Sequence, residues 1–80
     1  MSQTMETYNG HKSWDHWNVS LWIFNDYGLY SWAGEKLKEW RDPLAASSAL
    51  FDEMQAQGIT ETPDGAEFSI ETINAALEDF

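Results

Sequence analysis

The chain has no cysteine, so neither a disulfide framework nor a thiolate metal site can form, which fits a reducing compartment better than a secreted mini-protein. After Arg41 it also lacks any lysine, arginine or histidine. A basic groove for nucleic acid cannot be built from that half, and the three cations near Trp40, namely Lys36, Lys38 and Arg41, are too few to make one. Long apolar runs are missing too. The longest, Leu21-Trp22-Ile23-Phe24, is a fraction of the roughly 20 residues that cross a bilayer, and the polar start Met1–Tyr8 matches neither a secretory signal nor a transit peptide. These absences predict a soluble protein of the cytoplasm that binds neither membrane nor nucleic acid directly.

Catalytic groupings are equally sparse. His11 and His16, the only imidazoles, stand five apart without the His-Glu-x-x-His spacing of a zinc site, and no serine sits in a nucleophile-elbow setting. Paired carboxylates could exchange protons only if one were desolvated, and the apolar pattern puts most acids on solvated faces. Thr60–Glu71 superficially matches a calcium loop at Asp64, Gly65 and Glu71, but threonines replace the first two carboxylates and Pro63 stiffens the turn. The expectation is therefore no enzyme, no metal and no cofactor.

What the chain does have is acid and aromatics. Of 14 acidic residues, nine fall between Asp42 and Phe80, so residues 1–41 carry a net charge of −1 and residues 42–80 a net −9. Such asymmetry repels nucleic acid and anionic lipid and speeds encounter with anything strongly basic. An aromatic share of 15% argues against disorder despite the charge. Five tryptophans in 80 residues are many for a core that buries only about 60–65% of the unfolded surface. Trp17 and Trp32 read as core; Trp22 and Trp40, at the edges of their stripes, read as contact residues or as part of a homodimer surface.

Periodicity divides the chain into a loose lead-in over residues 1–10 and a single acidic helical domain over 11–80. Ser13 offers a cap to a helix with Trp14, Trp17, Leu21 and Phe24 on one face, widened by Val19, Trp22 and Ile23, which reads as the middle of a bundle. Asp26 caps a second helix in which Leu29, Trp32, Ala33, Leu37 and Trp40 fall at helical spacing. Asp42-Pro43 opens a third, with Leu44, Ser48, Leu50, Phe51 and Met54 inward, ended by Gly58. Residues 59–68 admit a short β-hairpin around Pro63-Asp64-Gly65, and Ser69 caps a last helix with Ile70, Ile73, Ala76, Leu77 and Phe80 inward. The predicted class is mostly α, a compact bundle of about four short helices.

Tyr8-Asn9-Gly10, Trp14, the run from Trp17 to Tyr30, and Thr62-Pro63-Asp64-Gly65 together resemble a family of small acidic proteins encoded by phages and other mobile elements. Its pattern reads Trp-Asn-Val, Leu-Trp-Ile, then Asn-Asp-acid-Gly-Leu-Tyr; Tyr27 departs from it where an acid is usual. The resemblance implies a phage origin. By analogy of type it implies an inhibitor of host defence, of the anti-CRISPR or antirestriction kind, acting in the host cytoplasm. Its partner would be a basic, nucleic-acid-binding defence complex, met by Asp52, Glu53, Glu61, Asp64, Glu67, Glu71, Glu78 and Asp79 as phosphate surrogates, with Trp22 or Trp40 as anchor. The alternative is a small structural or regulatory protein, homodimeric through its tryptophan-rich helices, with the acids serving solubility.

Overall fold

The computed structural model describes residues 14–80. The expected lead-in over residues 1–10, together with His11 and the Ser13 cap, lies outside the described residues. Four helices follow one another: α1 (Trp14–Asn25), α2 (Tyr27–Trp40), α3 (Pro43–Ala56) and α4 (Ile70–Leu77).

Each junction is fixed by chemistry visible in the chain. Asp26 ends α1 and begins α2 at once: its N–H donates to the Trp22 carbonyl at 2.9 Å, and its carboxylate accepts from the Leu29 N–H at 2.9 Å. Asp42 caps α3 by accepting from the Ala45 N–H, with Pro43 at the first helical position, where the missing N–H removes no helical bond. That helix closes in a Schellman arrangement. The Gly58 N–H donates to the Gln55 carbonyl, the Ile59 N–H donates to the Met54 carbonyl, and Gly58 takes φ +79°, which its lack of a Cβ permits. Ser69 and Thr72 form a reciprocal capping box at the start of α4.

Between α3 and α4, the segment 57–69 folds as a hairpin-shaped turn with one antiparallel bridge, Glu61 to Glu67, and no strand forms among the described residues. Pro63 and Asp64 occupy the centre of a turn closed by the Gly65 N–H on the Thr62 carbonyl at 2.8 Å. Gly65, at φ +96°, then takes the left-handed position that lets the chain return.

The helices form a ring in which α2 and α4 each pack on both α1 and α3, so α2 and α4 are diagonal neighbours. The core is Val19, Ile23, Ala33, Ala46, Leu50, Met54, Ala66, Phe68, Ile73, Ala76 and Leu77, with Leu29, Trp32, Leu37, Phe51 and Ile59 packed against it. Burying each large member contributes about 1.5–3 kcal/mol. Two expectations need correction. First, α1 is not the middle of the bundle: Trp14, Leu21 and Phe24 are exposed, and its buried residues are Asn18, Val19, Ser20 and Ile23. The wide apolar face misled, because polar Asn18 and Ser20 find buried places and leave part of the aromatic stripe to solvent. Second, Leu44 and Phe80 do not sit inward; both are exposed.

Arg41, the C-cap of α2, is the one described non-glycine residue at positive φ (61°). An L-residue there costs about 1–2 kcal/mol against its right-handed form, partly offset by a cation's favourable place at a helix C-terminus. Arg41→Gly should therefore raise stability by about 0.5 kcal/mol and the melting temperature by about 2–4 °C in thermal denaturation; an unchanged or lower midpoint would show that the arginine side chain stabilises this corner.

Candidate protein-binding surface

The acids of the second half divide into a first group that holds the fold, in which Asp64 is nonetheless exposed, and a second whose carboxylates stand chiefly in solvent. Asp64 belongs to the first group. Its Oδ2 accepts from the Asn18 Nδ2 and from the Trp22 indole N–H, both at 3.0 Å. Beside it the buried Thr62 hydroxyl donates to the Asn18 Oδ1 at 2.6 Å and accepts from the Ala66 N–H at 3.0 Å. The three bonds to Asn18 and Trp22 join residues more than 40 apart and seat the 57–69 turn on α1. The two donors hold the Asp64 carboxyl below its ordinary 3.8, Asn18 more strongly than Trp22.

Glu53 also belongs to the first group. Lys36, whose side chain is 11% exposed, ion-pairs with it across α2 and α3, and the Trp32 indole N–H donates to its Oε1 at 3.0 Å. The Lys36 bond, then the Trp32 bond, lower the Glu53 pKa, and the same Glu53 contact raises that of Lys36. Lys36 reaches Glu39 as well, at 3.3 Å.

Asp52, Glu61, Glu67, Glu71, Glu78 and Asp79 are exposed. Glu71 lies 3.3 Å from the His16 Nε2, and Glu78 accepts from the Asn74 amide at 3.3 Å. Glu71 and Glu78, seven residues apart, share the outer side of α4, opposite its buried Thr72, Ile73, Ala76 and Leu77. The lysines and arginine among the described residues lie on α2 or at its end, diagonal to α4. Charge segregation in sequence thus becomes segregation in space. The Glu61–Glu67 bridge adds a second point: it puts two carboxylates directly opposite, where like charges destabilise an antiparallel pair.

The tryptophan expectations resolve unevenly. Trp22 is half-buried and spends its N–H on Asp64, whereas Trp40 is 52% exposed beside the exposed Leu44 at the α2–α3 corner. Trp32 packs on the core and Trp17 is half-buried. Not anticipated is a cluster at the other end of α2, where Tyr30 stacks on Phe80 and Phe24 tilts against both, with centroids 4.9–6.1 Å apart. No group of three or more His, Asp or Glu that could hold a metal ion forms among the described residues, and no helix there is long and apolar enough to cross a membrane.

This is a ring of four helices with an anionic outer side, and the chain belongs to DUF7249, a family of unknown function whose pattern it matches over residues 4–79. No curated protein and no solved structure matches it. Asn18, Trp22, Thr62 and Asp64, which stand among the residues noted above for their resemblance, are the ones that seat the turn on α1, and Gly65 closes that turn on the Thr62 carbonyl.

Asn18→Ala should cost about 2 kcal/mol in denaturant unfolding, because it leaves the Thr62 hydroxyl buried without its acceptor; Thr62→Val added to it should cost less than the two single changes together. Additive losses would mean the two side chains act independently. Because the folded Asp64 pKa is lowered, its stabilisation is complete above 3.8 and disappears as pH falls through the folded value. Asp64→Asn should thus melt below the wild type near neutral pH, with the gap closing in acid; a gap independent of pH would rule out the charge as the cause.

Proposed function

We propose that the protein is a non-enzymatic inhibitor whose anionic α3–turn–α4 side occupies a basic, nucleic-acid-binding groove on a larger protein complex. The effector of a host defence system of the CRISPR kind is the target that the phage resemblance favours. One observation supports this reading above the others: Glu61 and Glu67 face each other across the bridge. Folding alone disfavours that pair, and a pair kept against stability is expected where function needs both charges. A groove that binds phosphates offers arginine and lysine side chains at close spacing, which adjacent carboxylates can engage by charge-assisted hydrogen bonds. Glu61, Glu67, Glu71, Glu78, Asp79 and Asp52 are the residues assigned to docking, Glu71 despite its His16 contact because its side chain is 67% exposed; Glu53 and Asp64, which hold the α2–α3 contact and the turn in place, are not.

The second reading, self-association through the tryptophan-rich helices with the acids serving solubility, draws support from exposed Trp40 and Leu44. Salt separates the two, since electrostatic docking weakens steeply with ionic strength and apolar pairing persists.

Expressed in cells carrying a defence system that destroys an incoming plasmid, the wild-type protein should restore transformation, and the Glu61→Lys, Glu67→Lys, Glu71→Lys triple variant should lose that protection with its circular dichroism unchanged. Glu61→Thr alone should raise the melting temperature while reducing protection. Full protection by the triple variant would contradict the reading.

A further inference from the structure

Among the described residues, the Phe24–Tyr30–Phe80 cluster is left open to solvent. Tyr30 and Phe80 stack at 4.9 Å and 21°, and Phe24 leans on Phe80 at 4.9 Å and on Tyr30 at 6.1 Å, yet the three remain 36%, 46% and 41% exposed. Tyr27, one turn before Tyr30, is 84% exposed, and exposed Leu21 lies one turn before Phe24. Rings that only filled a core would be covered. Phe80 is held in place by a turn at the end of α4, its N–H donating to the Leu77 carbonyl at 3.1 Å.

Charge around the cluster selects the occupant. Asp26, Glu78 and Asp79 are its sequence neighbours, while the nearest lysine along α2, Lys36, is six residues past Tyr30, about 9 Å of helix. A second copy, itself at −10, would bring the same acids against them. A cationic side chain that is planar and stacks on rings meets both the π faces and the carboxylates, and arginine is that side chain. We infer that the Phe24–Tyr30–Phe80 patch is an arginine-binding anchor, engaging a basic protein surface whose guanidinium groups stack on the rings while Glu78 and Asp79 accept their hydrogen bonds. The inference rests on the docking reading for its choice of a basic partner, and it assigns the apolar anchor to this corner, not to Trp22 or Trp40.

The test uses fluorescently labelled nona-arginine and nona-lysine peptides, with dissociation constants measured by anisotropy at one fixed, low ionic strength. The wild type should bind the arginine peptide about fivefold or more tighter than the lysine peptide, and Tyr30→Ala with Phe80→Ala should bring that ratio near one. Tyr30→Leu with Phe80→Leu, which keeps apolar bulk and removes the π faces, should do the same and guards against a misfolded alanine variant. Equal affinity of the wild type for both peptides, or a preference unchanged in the leucine variant, would overturn the anchor. So would a concentration-dependent dimer in sedimentation equilibrium that these substitutions abolish. The docking reading fails separately: Glu61→Lys, Glu67→Lys, Glu71→Lys should weaken both peptides alike, and no weakening of either would sink that reading while leaving the arginine ratio to judge the patch.

Discussion

The Asp64 carboxylate, gripped by Asn18 and Trp22, with the Thr62–Asn18 bond buried beside it, is the contact on which the arrangement of this small protein depends. Eighty residues leave little core, and the segment between α3 and α4 brings two of its members, Ala66 and Phe68, inward. Those side chains stay inside only while the turn is seated on α1. The same seating directs Glu67, which alternates with them, toward water, and Glu61 faces it across the bridge. One set of hydrogen bonds therefore both closes the core and displays the charge.

Electrostatics then separates two roles among similar residues. Glu53 and Asp64 meet donors within the fold and are held ionised by them. The exposed acids of α4 lie across the ring from Lys36, Lys38 and Arg41, because α2 is diagonal to α4. A strongly anionic side beside an exposed aromatic cluster is well suited to a cationic partner: the charge supplies steering and the rings supply desolvated contact. The contacts that seat the turn and join α2 to α3 use Asp64 and Glu53, whereas the assigned docking acids keep exposed carboxylates, Glu71 while also meeting His16 and Glu78 while also meeting Asn74.

Much of the fold was legible because its boundaries are made by strong local signals. Asp26, Asp42-Pro43, Gly58 and Ser69 act within three or four residues of themselves, and each marks the helix end that it predicted. The facing of α1 was not legible from periodicity. Its stripe of Trp14, Trp17, Leu21 and Phe24 outweighed Asn18, whose burial depends on Thr62 and Asp64, more than 40 residues away. The alternation of Ala66, Glu67 and Phe68 was a readable period-two signal for two buried residues, obscured by the surrounding turn residues. Among the expected site residues, Glu53, Asp64 and Trp22 differ from the others only through partners that no spacing displays. The Phe24–Tyr30–Phe80 cluster joins three separate elements, so no single window of sequence contains it.

The most direct test of the central claim, that the turn and α4 side with its adjoining aromatic corner grips cationic groups while the Asn18–Thr62–Asp64 contact only supports it, is a backbone amide NMR titration with an arginine-rich peptide. The account predicts shifts concentrated at Glu61, Glu67, Glu71, Glu78, Asp79, Tyr30 and Phe80, with Asn18 and Thr62 little changed. Shifts centred on Lys38, Trp40 and Leu44 at the α2–α3 corner would contradict it.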